Sequence, residues 1–280
     1  MLLLATMLCG GPAFGAELDG TLKKIKASNT ITLGYREDAR PFAYVGDDGK
    51  PAGYSVELCT RIAASVARDL GLFNLQTKWV KVTPENRISS VVSGAVDLEC
   101  GSTTASLTRQ EQVDFSLMTF IDGGSLLVTD VSGIRGLSTL GGKRVAVVPG
   151  TTTEKALNAA LSKHAVRPTI VSVKNHTEGV AALDNRTIDA YASDRTILIG
   201  MGRTSKSPEK LSLVDEFFSY EPHGFMLKRG DAAFRLSVNR ALASMYRSGE
   251  VGPIFEKYFG SMTTAGPMIV GMYLMNGLPE

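Results

Sequence analysis

From Leu18 onward, short runs with β character alternate with longer runs of helical period, and the alternation starts over after residue 140. In the first round TITLGY (30–35) reads as a strand and GYSVELCTRIAASVARDLG (53–71) as a helix. Val56, Leu58, Ile62, Val66 and Leu70 recur there near the helical period, and Gly71 supplies the stop. QTKWVKV reads as a half-buried strand, NRISSVVSG as a short helix and AVDLE as the next strand. The second round runs KRVAVV, GTTTEKALNAALSKH, TIVSV, TEGVAALDNRT and IDAYAS, strand and helix in turn. Short β-to-α connections favour parallel strands covered by helices. The expected fold is α/β with two lobes, each a mainly parallel sheet flanked by helices.

The glycine-led apolar runs GGSLLVT (123–129) and HGFMLKR (223–229) flank the second round and read as two hinge crossings. This places residues 16–125 and 228–280 in lobe 1 and 126–227 in lobe 2, a clamshell. DAAFRLSVNRALASMYRSG and VGPIFEKYFG read as helices returning to lobe 1. The tail PMIVGMYLMNG is interrupted by glycine and shorter than a membrane span, so it reads as a packed terminal segment.

Residues 1–15, MLLLATMLCGGPAFG, combine a short apolar run with small residues at Ala13 and Gly15, the pattern of a cleaved secretory signal peptide. Export to the periplasm follows, and with it a preference for a disulfide over free thiols at the remaining Cys59 and Cys100. Pairing itself depends on geometry that sequence does not supply. Two thiols and three scattered histidines make no metal set, and GTTTE lacks the Lys of a phosphate loop, so neither metal nor cofactor is expected. A net charge of +2 without a basic cluster argues against nucleic acid.

Ligands of open α/β sheets bind beyond the carboxyl ends of the strands. Those ends carry Arg36 after TITLGY, Arg87 after WVKV, and CGSTTASLTR with Ser102, Thr104 and Arg109 after AVDLE. In the second round they carry PGTTTE with Thr152, KNHTE with His176, and Asp194. Arginine's planar fork binds carboxylates through paired hydrogen bonds and keeps its proton. A helix start presents free N–H groups to anions. Three such arginines suggest a ligand with more than one carboxylate, and Asp194 suits an ammonium. Taken singly, each residue has a plainer explanation: a solvated surface arginine, a Thr or Asp cap, a packed histidine. Their shared placement at strand ends is what favours a site.

At ECGSTTASLTRQEQVDFS the chain resembles the periplasmic solute-binding proteins of amino-acid ABC importers, most closely the glutamate/aspartate-binding group. GYREDARPFAY, GYSVELC, NRI, VDLECGSTT, GTTTE and GFMLKR follow in family order from about residue 20 to 260. The resemblance implies a type II periplasmic binding protein fold and a monomer that hands L-glutamate or L-aspartate to ABC permease subunits. It implies that Arg109 and Thr104 hold the α-carboxylate, and that Ser102 and Asp194 hold the α-amino group. It gives Arg36, Arg87, Thr152 and His176 the side-chain carboxylate. It also implies a Cys59–Cys100 pair. One departure is Pro84, where the group usually carries a serine three positions before Arg87. Proline offers no hydroxyl or N–H, which puts the balance between glutamate and aspartate in doubt.

Three rival readings stand beside this one. A periplasmic dehydratase-like enzyme on the same fold would need a placed acid or base, for which His176, Glu99 and Glu154 are the candidates. No nucleophile–base arrangement stands out, so no enzyme is expected. A glutamine- or asparagine-binding protein would need fewer cations. A receptor module would be fused to a membrane span and a signalling domain, and the 280 residues show neither.

Overall fold

A computed structural model describes residues 18–260 and 262–280; the expected signal peptide lies outside the described residues. Helix α1 (Gly20–Ser28) leads into β1 (Thr30–Tyr35), a small antiparallel sheet of β2 (Asp38–Ala39), β3 (Ala43–Val45) and β4 (Pro51–Ala52), and helix α2 (Tyr54–Asp69). Then come β5 (Gln76–Lys81), α3 (Arg87–Val92), β6 (Leu98–Glu99), α4 (Leu107–Gln110) and β7 (Val113–Asp122). Beyond Gly123 the chain forms β8 (Gly124–Thr129), β9 (Arg144–Val147), α5 (Thr152–Lys163), β10 (Thr169–Ser172) and α6 (His176–Asp184). It continues through β11 (Ala190–Asp194), α7 (Arg195–Gly202) and β12 (Leu211–Leu213). The last elements are β13 (Glu221–Lys228), α8 (Ala232–Ser248), α9 (Val251–Phe259) and α10 (Pro267–Asn276).

The strands build two five-stranded sheets among the described residues, ordered β5-β1-β6-β13-β7 and β10-β9-β11-β8-β12. Strands β1, β5 and β6 are parallel, as are β9, β10 and β11. The reversed strands are β13 in the first sheet and β8 in the second, each antiparallel to both neighbours. They are the strands that arrive directly from the other lobe, without the crossover helix that a parallel return requires. Strand β13 corrects one expectation. HGFMLKR is not a crossing; it lies mostly inside β13, hydrogen-bonded to β6 and β7. The return therefore falls between β12 and β13, ahead of the 227/228 boundary. The first crossing is a single residue, Gly123.

Alternate side chains of each strand feed opposite layers, as the two-residue period demands. In lobe 2, Leu126, Val145 and Ala190 pack with Leu157 and Leu161 of α5, while Leu127, Ala146 and Tyr191 pack with Leu183 and Leu198 of α6 and α7. In lobe 1, Ile31, Leu33, Phe225 and Leu227 face α2 and α8, and Met226 faces Val91 of α3. The five expected apolar positions of α2, from Val56 to Leu70, are all buried. The tail forms α10, which buries Met272 and sets the Tyr273 hydroxyl 2.8 Å from that of Tyr54. No helix among the described residues is long and apolar enough to cross a membrane.

Cys59 of α2 and Cys100, one residue past β6, form a disulfide with Cα atoms 6.2 Å apart. It closes a loop of 41 residues and fastens α2 to the start of the CGSTTASLTR loop. Replacing both cysteines by serine should lower the unfolding free energy by about 4 kcal/mol, from the loop closed in the unfolded chain. Urea titration tests this, and coincident midpoints for the parent and the double variant would refute a stabilising staple.

The two lobes touch. Asp38 Oδ2 on β2 accepts a hydrogen bond of 3.1 Å from the Thr177 N–H at the start of α6. Val180, Ile197 and Met201 of lobe 2 join the core cluster that holds Ala39 and Phe42 of lobe 1. Gly200 of α7 lies so close to lobe 1 that a Cβ built there would meet the Arg40 carbonyl oxygen at 2.5 Å.

Candidate functional site

The carboxyl ends of β1, β5 and β6 face those of β9, β10 and β11 across the junction, and each delivers one predicted residue or more. Arg36 follows β1 directly and is 3% exposed, its guanidinium 3.4 Å from Asp38. Arg87 opens α3 from a turn closed by two reciprocal bonds. Asn86 Oδ1 accepts from the Thr83 N–H at 2.8 Å, and Thr83 Oγ1 accepts from the Asn86 N–H at 3.3 Å. Pro84 suits that turn because its φ is preset. It lines the mouth of the cleft, a space of about 710 Å³, with Arg36, Asp38, Pro149 and Asn175.

The loop after β6 brings Ser102, Thr103 and Thr104 into the interior. Ser106 caps α4 by accepting from the Arg109 N–H, and Arg109 donates back through Nη1 to the Thr104 carbonyl at 2.8 Å. That pair of bonds aims the guanidinium inward. Thr103, which sequence left without a task, links opposite charges. Its hydroxyl accepts from Arg87 Nη1 and donates to Glu99 Oε2, both at 2.8 Å. Gly101 makes room for this, since a Cβ there would lie 2.3 Å from Glu99 Oε1.

From lobe 2, Thr151 caps α5 by accepting from the Glu154 N–H, while Glu154 accepts from the Gly150 N–H at 2.8 Å. Asn175 and Glu178 repeat the arrangement at the start of α6 and fix His176 there. Glu154 is thus occupied as a cap. Thr152 reaches Thr104 of lobe 1 at 3.0 Å, and both hydroxyls donate to Glu221 Oε2 at 2.6 Å. Asp194, at the end of β11, accepts from Thr153 at 3.0 Å and from His223 Nε2 at 3.1 Å. The eight predicted residues therefore gather at one junction, all buried except the half-buried Thr152.

Electrostatics follow from this crowding. Burial pushes the Arg87 guanidinium down to about 9, helped by the like charges of Arg109 and Arg36 and opposed by Glu99. Burial also lowers Arg109, against the pull of Glu221, Glu99 and Asp194. His176 falls to about 4, through burial first and the Arg36 charge second. Its imidazole is therefore neutral, with Nδ1 2.6 Å from the Tyr191 hydroxyl. Burial raises Tyr191, which keeps its proton beside Nδ1. In the tautomer that accepts from Tyr191, the imidazole proton sits on Nε2, a donor suited to a carboxylate.

Three further residues escaped the sequence reading: Glu221, Asp122 and His223. The Asp122 carboxylate accepts from the N–H groups of Gly123 and Thr196 and so caps α7 across the crossing. Donor atoms of Asp122, Asp194 and His223 lie within 4.8 Å of one another, the one such group among the described residues. These atoms bond each other, Thr153 and backbone N–H groups instead of pointing at a common centre. Asp122 was findable, because it ends a strand as Asp194 does; His223 is hidden inside an apolar run.

The arrangement offers buried cations from one lobe and a carboxylate with a helix start from the other, a pattern for small charged ligands. The family model for bacterial extracellular solute-binding proteins, family 3, matches residues 31–261. An L-glutamate/L-aspartate-binding protein of Pseudomonas aeruginosa is 38% identical over 91% of this chain and 85% of its own length. A glutamate/aspartate import solute-binding protein of Salmonella typhimurium is 34% identical over 89% of this chain and 82% of its own. Among solved structures, an ancestral amino acid-binding protein, a precursor of cyclohexadienyl dehydratase, superposes with a TM-score of 0.75 at 25% identity. It covers 86% of this chain and is itself covered completely, at 100%. With strand-end arginines, two sheets joined by two crossings and a match over most of its length, the chain belongs to the family 3 extracellular solute-binding proteins.

Proposed function

We propose that the protein captures an acidic L-amino acid, glutamate or aspartate, between its lobes and passes it to the membrane subunits of an ABC importer. The observation that carries this reading is the burial of Arg36, Arg87 and Arg109 side by side, where burial and mutual repulsion hold Arg87 down to about 9. Buried like charges are costly until an anion joins them. A dicarboxylate with one ammonium supplies two anions for the arginines and one cation for Asp194. The similar Pseudomonas and Salmonella proteins, named for glutamate and aspartate, support the same class.

In this reading Arg109 with Thr104 takes the α-carboxylate, and Ser102 and Asp194 take the ammonium. Arg36, Arg87, Thr152 and His176 take the side-chain carboxylate, and closure of lobe 2 onto lobe 1 completes the set. A ligand moves the lobes only through differential affinity for the closed form, so it must touch both. The chain works as a periplasmic monomer and as a carrier, not an enzyme. Glu99 is tied to Thr103, Glu154 caps a helix and His176 is bound to Tyr191, which leaves the acid and base candidates engaged. Isothermal calorimetry should give micromolar or tighter binding of glutamate or aspartate, with glutamine weaker by at least about tenfold for the lost charge pairing. Equal affinities for glutamate and glutamine would sink the acidic assignment.

A further inference from the structure

Asp194 is not a free counter-charge waiting for an ammonium. Its Oδ1 already accepts from Thr153, and its Oδ2 accepts from His223 Nε2. Asp122 closes the cluster from the end of β7, with its ligand-capable oxygen within 4.8 Å of the Asp194 and His223 atoms. The three residues come from β7, β11 and β13, beside the single-residue crossing at Gly123. The Asp194 and His223 side chains are buried, and the His223 ring packs against Phe42 and Phe120.

We propose that Asp122 and His223 are positioning residues of the ligand site, and that seating an ammonium against Asp194 drives one proton out of this three-residue cluster. The proposal rests on the acidic amino-acid reading above. A second cation placed on Asp194 stands beside His223, whose charged form Asp194 favours, in an interior where like charges repel strongly. One of two bonds then breaks. Either His223 loses its Nδ1 proton, or a protonated Asp122 loses its carboxyl proton, and the proton passes to solvent water. The imidazole is built for the first route. Nδ1 is buried and has no hydrogen-bond partner among the described residues, while Nε2–H stays on Asp194 in the neutral ring.

The surroundings agree. Burial alone would discharge His223, yet the hydrogen bond and charge of Asp194, with Asp122 and Glu221, raise it above its ordinary value. Asp122 is pushed up to about 7 by burial and then by Asp194. Asp194 stays low despite burial because His223 and Thr153 bond it, with His176 contributing. Arg87 and Arg109 face Asp194 from α3 and α4, and Arg36 and Asp38 face His176. These cations are permanent at neutral pH, so the exchangeable protons near the ammonium belong to Asp122 and His223. The ligand carboxylates pull the other way on His176, which therefore needs its own control.

The test is calorimetric titration of the full protein with glutamate at pH 7 in buffers of different ionisation heat. The slope of observed heat against ionisation heat counts protons exchanged. The expected result is release of about one proton per glutamate, and affinity rising with pH by up to about tenfold per unit through the neutral range. His223→Gln keeps a donor for Asp194 but cannot titrate, and Asp122→Asn removes the second acid. Each should cut the release and the pair should abolish it, while His176→Gln, which weakens binding, should not reduce the protons released per bound glutamate. Binding with a slope of zero in the parent overturns the proposal alone. So does a slope unchanged in both His223→Gln and Asp122→Asn. Absence of glutamate heat in every buffer overturns the acidic amino-acid reading and this proposal together. The parent measurement stands even if a variant fails to fold.

Discussion

Glutamate affinity of Arg109→Gln should fall by at least about 100-fold, the cost of truncating one partner of a buried, hydrogen-bonded charge pair. Arg109 is aimed by two bonds that do not involve ligand: the Ser106 cap on its N–H and its own donation to the Thr104 carbonyl. Glutamine is shorter than arginine, but the Ser106 cap uses the backbone N–H of residue 109, so the loop should retain its shape while the guanidinium fork and its charge disappear. The substitution also relieves repulsion on Arg87, which Arg109 helps to depress. Folding stability should therefore hold or rise slightly while binding collapses. Calorimetry for affinity and urea titration for stability separate the two. Binding within about threefold of the parent would remove Arg109 from the carboxylate site, since a change that small is far below the 2–5 kcal/mol of a buried pair.

Gly200→Ala should weaken glutamate binding by about 5- to 150-fold without contacting ligand. A Cβ at this position meets the Arg40 carbonyl oxygen of lobe 1 at 2.5 Å, and backbone atoms do not step aside. Overpacking of this kind costs about 1–3 kcal/mol. The cost falls only on the closed arrangement, which converts it into lost affinity through the population of the competent state. In the separated lobes the same alanine favours helix α7 over glycine. The variant should thus unfold no more readily than the parent. Small-angle scattering adds a direct reading: the contraction seen with saturating glutamate should be smaller in Gly200→Ala. Identical affinity and contraction would mean that the Gly200–Arg40 approach is not part of capture.

Fold and site were legible to different depths, for physical reasons. Helix α2 could be read because one face carries large aliphatics at helical spacing and the whole face is buried. The strand AVDLE shrank to Leu98–Glu99, because a buried five-residue run does not say where pairing stops. Strand β13 was mistaken for a crossing, because Gly224 looks like a break while it lies at a register shift against β7. The eight candidate residues meet at one junction because parallel sheets gather their loops at strand ends. Asp122, Glu221 and His223 lie at the junction ends of the antiparallel pair β7 and β13, where that rule gives no guidance. Thr103 needed coordinates, since nothing in CGSTT says which hydroxyl will stand between Arg87 and Glu99.

The apolar seam where Val180, Ile197 and Met201 join Ala39 and Phe42 lies in the same core cluster as Phe120, beside the ring of His223. Burying that seam removes hydrocarbon from water each time the lobes meet, whatever molecule lies between them. Capture then carries a negative change in heat capacity that belongs to the protein and not to the amino acid. Strength and selectivity come apart as a result. The seam contributes a ligand-independent share that strengthens on warming from the cold, while in the function proposed above the arginines and Asp194 decide which molecule is allowed to draw on it.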